Sequence, residues 1–304
     1  MKNSFLNRLE NEILVCDGAM GTMLYSKGIY VNRCFDELNL SSPKIVQDIH
    51  REYIEAGADI IETNTFGANW YKLSPHGLEN KLYEINYRGV LLAKEIAGYK
   101  KFVAGSIGPL GRPMKPIGNI TKNEATKAFT EQAQALEDGG VDLFILETFS
   151  DLNMLETAIT AVQSVSSKSI VAQMSFSDGD KTIYGVTPVQ AVQHLEKLKI
   201  AVAGINCSTG PQPILEKLEQ MAKVSHIKLS AMPNAGMPKI VEGRSIYLAS
   251  PEYFAEYAKR FIQTGVSIIG GCCGTTPAHI SAIKAAVKAL RPSKIIEKAA
   301  IVEK

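Results

Sequence analysis

Nothing in the 304-residue sequence approaches the run of about 18 apolar residues that a membrane-spanning helix needs. The opening stretch, MKNSFLNRLENEILV, is too polar for a secretory signal. Charge of one sign is also missing: 33 basic against 31 acidic residues leave a formal net charge of +2, which offers no argument for nucleic acid or an anionic membrane as partner. Cysteine is scarce and odd in number. The five present, Cys16, Cys34, Cys207, Cys272 and Cys273, argue against a disulfide scaffold and fit a reducing cytoplasm, where clustered thiols more often serve metal binding or catalysis. No GxGxxG follows the first apolar run, and no DxHxxG corrinoid signature occurs anywhere in the chain.

What the sequence does have is repetition. Eight short apolar runs, at 13–20, 59–67, 101–109, 143–151, 169–179, 202–211, 228–236 and 267–276, each lead into small, polar or glycine residues. The runs are continuous rather than alternating, as in strands buried on both faces of a parallel sheet. Between them lie amphipathic stretches of helical length. In PKIVQDIHREYIEAG, Ile45, Val46, Ile49, Tyr53 and Ile54 share one helical face; Ser42 before Pro43 reads as an N-cap, and Gly57 as the stop. The same start returns at Thr187-Pro188, Ser250-Pro251 and Thr276-Pro277, and the phrases EAGADIIET, EDGGVDLFILET and QTGVSIIGG echo one another. Eight such units predict a single (β/α)8 TIM barrel over residues 1–290, with a doubly wound open sheet as the other arrangement to test. The charged stretch 291–304 reads as a tail or the start of a linker.

In a barrel the reactive residues lie at the C-terminal ends of the strands. Those ends carry Asp17, Gly18 and Ala19; Glu62, Thr63 and Asn64; Ser106; Glu147 and Thr148; Asn206 and Cys207; Asn234; and the adjacent pair Cys272 and Cys273. The ends of the sixth and eighth strands are separated by one strand, so three thiols come within about 10 Å of each other. Flanking glycines would let the backbone aim both adjacent cysteines inward. Three thiolates suit Zn²⁺, with Asn234 as a possible fourth ligand when no substrate is bound. Zinc bound by three thiolates is a poor source of hydroxide but well suited to holding a substrate thiol in its deprotonated form, which points to alkyl transfer onto sulfur. The competing readings of the pair are two inert buried cysteines or a vicinal disulfide in a redox barrel. Cys16 and Cys34 are expected to pack, and His279, in the first turn of a helix, is expected not to bind metal.

The phrases DGAMGTML, ADIIETNTFGAN, GSIGPLG, LETFSD, GINCSTGP, PNAGMP and GGCCGTTP, in this order from about residue 8 to about residue 290, resemble those of the homocysteine S-methyltransferase family. That family includes the homocysteine-binding module of cobalamin-dependent methionine synthase and betaine–homocysteine methyltransferase. ANWYKLSPHGLE further resembles the N-terminal half of bifunctional homocysteine methyltransferase/methylenetetrahydrofolate reductases. The resemblance implies a zinc-dependent barrel that methylates homocysteine to methionine, with Cys207, Cys272 and Cys273 as metal ligands. Homocysteine also has an ammonium and a carboxylate to hold. Glu147 and Asp17 are the candidates for the ammonium, and the Gly18, Ala19 and Met20 backbone for the carboxylate. The methyl donor is open among methylcobalamin, methyltetrahydrofolate, S-methylmethionine and betaine. A second reading is a homocysteine-binding module that works only with a folate, corrinoid or reductase domain in cis or in trans.

Overall fold

The computed structural model describes residues 4–292 except 31, 178, 242 and 243, so most of the expected tail at 291–304 lies outside the described residues. Eight parallel strands form the main sheet: β1 (Leu14–Val15), β2 (Ile60–Glu62), β3 (Phe102–Ile107), β4 (Leu143–Phe149), β5 (Ile170–Met174), β6 (Val202–Asn206), β7 (Lys228–Met232) and β10 (Val266–Ile269). Their order is β1-β10-β7-β6-β5-β4-β3-β2, and a parallel bridge between Cys16 and Ile60 joins the two ends. The chain is a (β/α)8 barrel rather than an open sheet. Each strand is the one anticipated from its apolar run, because a strand buried on both faces has no polar face to interrupt the run.

Side-chain parity divides the core in two. Leu143, Ile145, Phe102, Ala104, Ile60 and Leu14 pack together in the lumen, while Phe144, Leu146, Val103, Ile107 and Ile61 pack against the helices outside. A helix that the sequence pattern did not reveal, Phe5–Asn11, closes the bottom of the lumen with Phe5 and Leu9. The Phe5 ring meets Phe102 edge-on at 5.7 Å, and burying the two side chains contributes about 2–3 kcal/mol each. Beside it, Asp59 accepts from Arg8 at 3.2 Å, Lys101 at 3.4 Å, Lys284 at 2.5 Å and the Val15 N–H at 3.1 Å. Burial alone would raise its carboxyl, but the Lys284 ammonium and the other donors hold it below the usual range.

The helix starts follow their residues. Thr187 with Gln190 forms a capping box, and the Ser250 hydroxyl accepts from the Tyr253 N–H. Ser42 occupies the N-cap position of Pro43–Glu55 but makes no side-chain cap bond. The echoed glycines Gly57, Gly140 and Gly265 all adopt positive φ, of 104°, 84° and 102°, where the chain turns from helix into the next strand. One further feature departs from the eightfold pattern: a short antiparallel hairpin, β8 (Lys239–Val241) and β9 (Arg244–Ile246), inserted after β7. Among the described residues no helix is long and apolar enough to cross a membrane.

Candidate active site at the barrel mouth

The parity that fills the lumen with apolar residues below also sets polar ones above. Glu62 follows Ile60 by two, Ser106 follows Ala104, Glu147 follows Ile145, and Asn206 follows Val202 by four. All four are therefore on the lumen side of their strands. Glu62, Ser106 and Glu147 line a cavity of about 640 Å³ at the C-terminal end of the barrel, and the buried Asn206 lies next to it, bonded to Glu147 and Thr148. The cavity wall includes Asp17, Gly18, Ala19, Met20, Glu147 and the three cysteines Cys207, Cys272 and Cys273. Asn234 is not part of this wall. It is buried, its Oδ1 has no hydrogen-bond partner among the described residues, and its N–H is donated to the Thr209 carbonyl at 3.0 Å.

The structure brings the three sulfurs together. All lie within 4.8 Å of one another, and Cys207 Sγ is 3.9 Å from Cys273 Sγ. Two sulfurs bound at about 2.3 Å to one tetrahedral ion stand about 3.8 Å apart. Local backbone aims them. Cys207 and Ser208 both take left-handed conformations, with φ of 59° and 58°, just past the end of β6. Gly274 follows the cysteine pair with φ 81°, and a Cβ there would collide with the Tyr247 ring. No disulfide links them in this structure, where all five cysteines are free thiols. The trio is electrostatically frustrated by itself. Hydrogen bonds from Cys207 and Cys272 pull Cys273 down to about 3. Hydrogen bonds to its two neighbours, then burial, push Cys272 well above the ordinary thiol range. Cys207 is pushed up to about 11: its bond with Cys272 lowers it, but the bond to Cys273 and burial outweigh that. One thiolate is stable here and three are not, unless a cation joins them. The soft donor set and the spacing fit a thiophilic divalent ion.

Beside the sulfurs stands a group of acids, Asp17 buried and Glu62 and Glu147 half-buried. Asp17 is pushed up to about 8, chiefly by burial. Its carboxylate accepts from the Glu62 N–H at 3.0 Å and the Cys16 thiol at 3.5 Å. Glu62 rises well above the carboxylate range, through burial and then the charges of Glu147 and Asp17. Glu147, also raised by burial, accepts from Ser106 Oγ at 2.6 Å and Asn206 Nδ2 at 3.1 Å. A cation placed among them would relieve all three. Glu62 belongs to this group although composition and motif gave it no role; the parity of β2 was the signal that could have found it.

Asn206 connects the two halves. Its Oδ1 accepts the Thr148 N–H at 2.7 Å, and its Nδ2 reaches Thr148 Oγ1 at 2.8 Å and Cys272 Sγ at 4.0 Å. Thr148 is thereby held at φ 64°, an uncommon conformation for a β-branched residue. Two expectations fare differently. Cys34 packs against an apolar cluster yet also forms part of the cavity wall, where burial pushes its thiol up to about 11. His279 has both ring nitrogens engaged: Nδ1 accepts the Thr276 N–H at 3.2 Å and Nε2 donates to the Ala249 carbonyl at 2.9 Å. It has no lone pair left for a metal.

A family model for homocysteine S-methyltransferases matches residues 14–287. The chain belongs to the homocysteine S-methyltransferase family. It is 33% identical over 300 residues to the methionine synthases of Mycobacterium leprae and Mycobacterium tuberculosis, covering 93% of this chain and 25% of each of those proteins. The chain thus spans about a quarter of the length of these relatives. Among solved structures, the metallated form of the homocysteine methyltransferase MmuM from Escherichia coli superposes with a TM-score of 0.77 at 22% identity, covering 90% of this chain and 96% of that one. At that identity the likeness speaks to the fold.

Proposed function

We propose that this barrel transfers a methyl group to the sulfur of homocysteine, forming methionine, with Zn²⁺ held by Cys207, Cys272 and Cys273. The observation that carries the proposal is the convergence of the three sulfurs within 4.8 Å on a cavity also lined by the carboxyl groups of Asp17, Glu62 and Glu147. The ion, when bound, supplies deprotonation and orientation of a substrate thiol. The chain's own residues supply the rest. Asp17, Glu62 and Glu147 receive the substrate ammonium, whose charge offsets the burial that raises all three. Asn206 fixes Glu147 relative to Cys272, so that the amino-acid end and the sulfur end of the substrate are set in one frame. The buried Asn234 Oδ1, lacking a partner, is the kind of oxygen a fourth ligand would offer in the substrate-free protein. A cavity of about 640 Å³ has room for homocysteine and the reactive end of a donor.

A second reading, a homocysteine-binding module that needs a folate, corrinoid or reductase domain, is favoured by one fact: the matched methionine synthases are about four times as long as the aligned segment. Zinc-loaded protein assayed with homocysteine and, in turn, methylcobalamin, methyltetrahydrofolate, S-methylmethionine and betaine separates the two. Methionine formed from any small free donor supports the first reading. Homocysteine binding without turnover supports the second, and absence of both defeats the proposal.

A further inference from the structure

The cavity wall carries a lysine that neither the sulfurs nor the carboxylates explain. Lys72 reaches it from the short helix Trp70–Leu73, whose first turn is fixed by Asn69: the Asn69 Oδ1 accepts the Lys72 N–H at 3.1 Å. From there the lysine stem runs between two glycines. A Cβ at Gly111 would lie 3.3 Å from the Lys72 Cε, and one at Gly67 would lie 3.5 Å from its Cδ. The ammonium ends over the Phe66 ring, 4.1 Å from the centroid. Lys72, Phe66 and Gly67 all form part of the cavity wall.

Among the described residues no carboxylate lies within ion-pair distance of Lys72. The nearby Asp36 is committed elsewhere, its Oδ1 accepting the Gly67 N–H at 2.8 Å. Arg33, the other basic residue with a permanent charge on the wall, is engaged by Glu37 at 3.2 Å and Ser41 at 2.8 Å. Burial lowers the Lys72 ammonium from its ordinary range, and Asp36 and Glu147 only partly offset that. A half-buried lysine whose stem passes two glycines, desolvated and without an ion-pair partner among the described residues, is arranged for an incoming anion. The Gly18–Met20 backbone, the sequence-based candidate for the substrate carboxylate, is partly spent, since the Ala19 N–H is donated to Thr275 Oγ1 at 3.2 Å.

We propose that Lys72 is a carboxylate-binding residue of this cavity, meeting an anionic group of a bound ligand. The inference rests on the homocysteine reading above. A carboxylate can come from two sources, the α-carboxylate of homocysteine or a carboxylate of the methyl donor. The test is calorimetric binding to the full, zinc-loaded chain, comparing the wild type with Lys72→Met, which keeps the stem and removes the charge. Three probes are used: homocysteine, its decarboxylated analogue 3-aminopropane-1-thiol, and methyltetrahydrofolate. A charge-assisted hydrogen bond predicts a loss of about 10- to 100-fold in affinity for the probe whose carboxylate is held. Loss for homocysteine with 3-aminopropane-1-thiol unchanged assigns Lys72 to the α-carboxylate. Loss for methyltetrahydrofolate alone assigns it to the donor. Changes within twofold for every probe, or equal losses for homocysteine and 3-aminopropane-1-thiol, overturn the proposal. A wild type that binds neither thiol overturns the functional reading itself, independently of Lys72.

Discussion

Replacing Asn206 by alanine tests how tightly the two halves of the site are joined. The side chain is buried and makes three close contacts: the Thr148 N–H at 2.7 Å, Thr148 Oγ1 at 2.8 Å and Glu147 Oε2 at 3.1 Å. Removing three buried hydrogen bonds at about 1 kcal/mol each predicts a loss of about 3 kcal/mol in folding free energy. A functional cost comes on top. Thr148, freed from φ 64°, can relax to negative φ. Glu147 loses one of its donors, and Cys272 loses the amide 4.0 Å from its sulfur. Residues behind a metal ligand typically contribute about 10- to 100-fold in affinity, so zinc binding, measured by chelator competition, should weaken by that order. Homocysteine binding should weaken by at least about tenfold through Glu147. The assays are urea unfolding, chelator competition and calorimetry on the same preparation. If Asn206→Ala lost stability yet kept both affinities within twofold, the amide would be only a strut, and the claim that it sets sulfur and ammonium subsites in one frame would be wrong.

Two further outcomes follow from charges far from the chemistry. Asp59→Asn should cost about 2–3 kcal/mol in urea unfolding, because Arg8, Lys101 and Lys284 would converge on a neutral group; Lys284 is partly open to solvent, which moderates the figure. A loss below about 0.5 kcal/mol would mean that this cluster does not lock the bottom of the barrel. His50 is fully buried with neither ring nitrogen bonded, and burial lowers it to about 4 from the ordinary 6.5. The folded protein therefore keeps His50 neutral where the unfolded chain protonates. Stability present above about pH 6.5 is lost as pH falls toward about 4, by roughly 2.5 kcal/mol at about pH 4.5. His50→Leu should flatten that part of the pH profile, and an unchanged slope would exclude His50 as its source.

Much of the architecture could be read directly, for physical reasons that also mark where the reading stopped. A parallel strand covered on both faces gives an unbroken apolar run, so each of the eight strands announced itself, and positive-φ glycines such as Gly57 and Gly265 punctuated the repeats. Cys207, Cys272 and Cys273 were legible because strand order alone brings their loops together. Glu62 was not singled out, since its place among the acids depends on the lumen parity of β2. The β8–β9 hairpin escaped notice because its strands are three residues each and Ile240 and Ile246 remain exposed, giving no buried stripe to detect. The helix Phe5–Asn11 buries two side chains, Phe5 and Leu9, too few to set up a period. Nothing in the sequence sets Lys72 apart from the other lysines. Only the opening beside Gly67 and Gly111 shows that its stem turns inward.

X-ray absorption at the zinc edge, on protein purified under reducing conditions with and without homocysteine, examines the central claim most directly. The account predicts an ion with the three sulfurs of Cys207, Cys272 and Cys273 at about 2.3 Å, and one additional sulfur when homocysteine is present. A bound ion with fewer than three sulfur neighbours, or a sulfur count that homocysteine leaves unchanged, would contradict it.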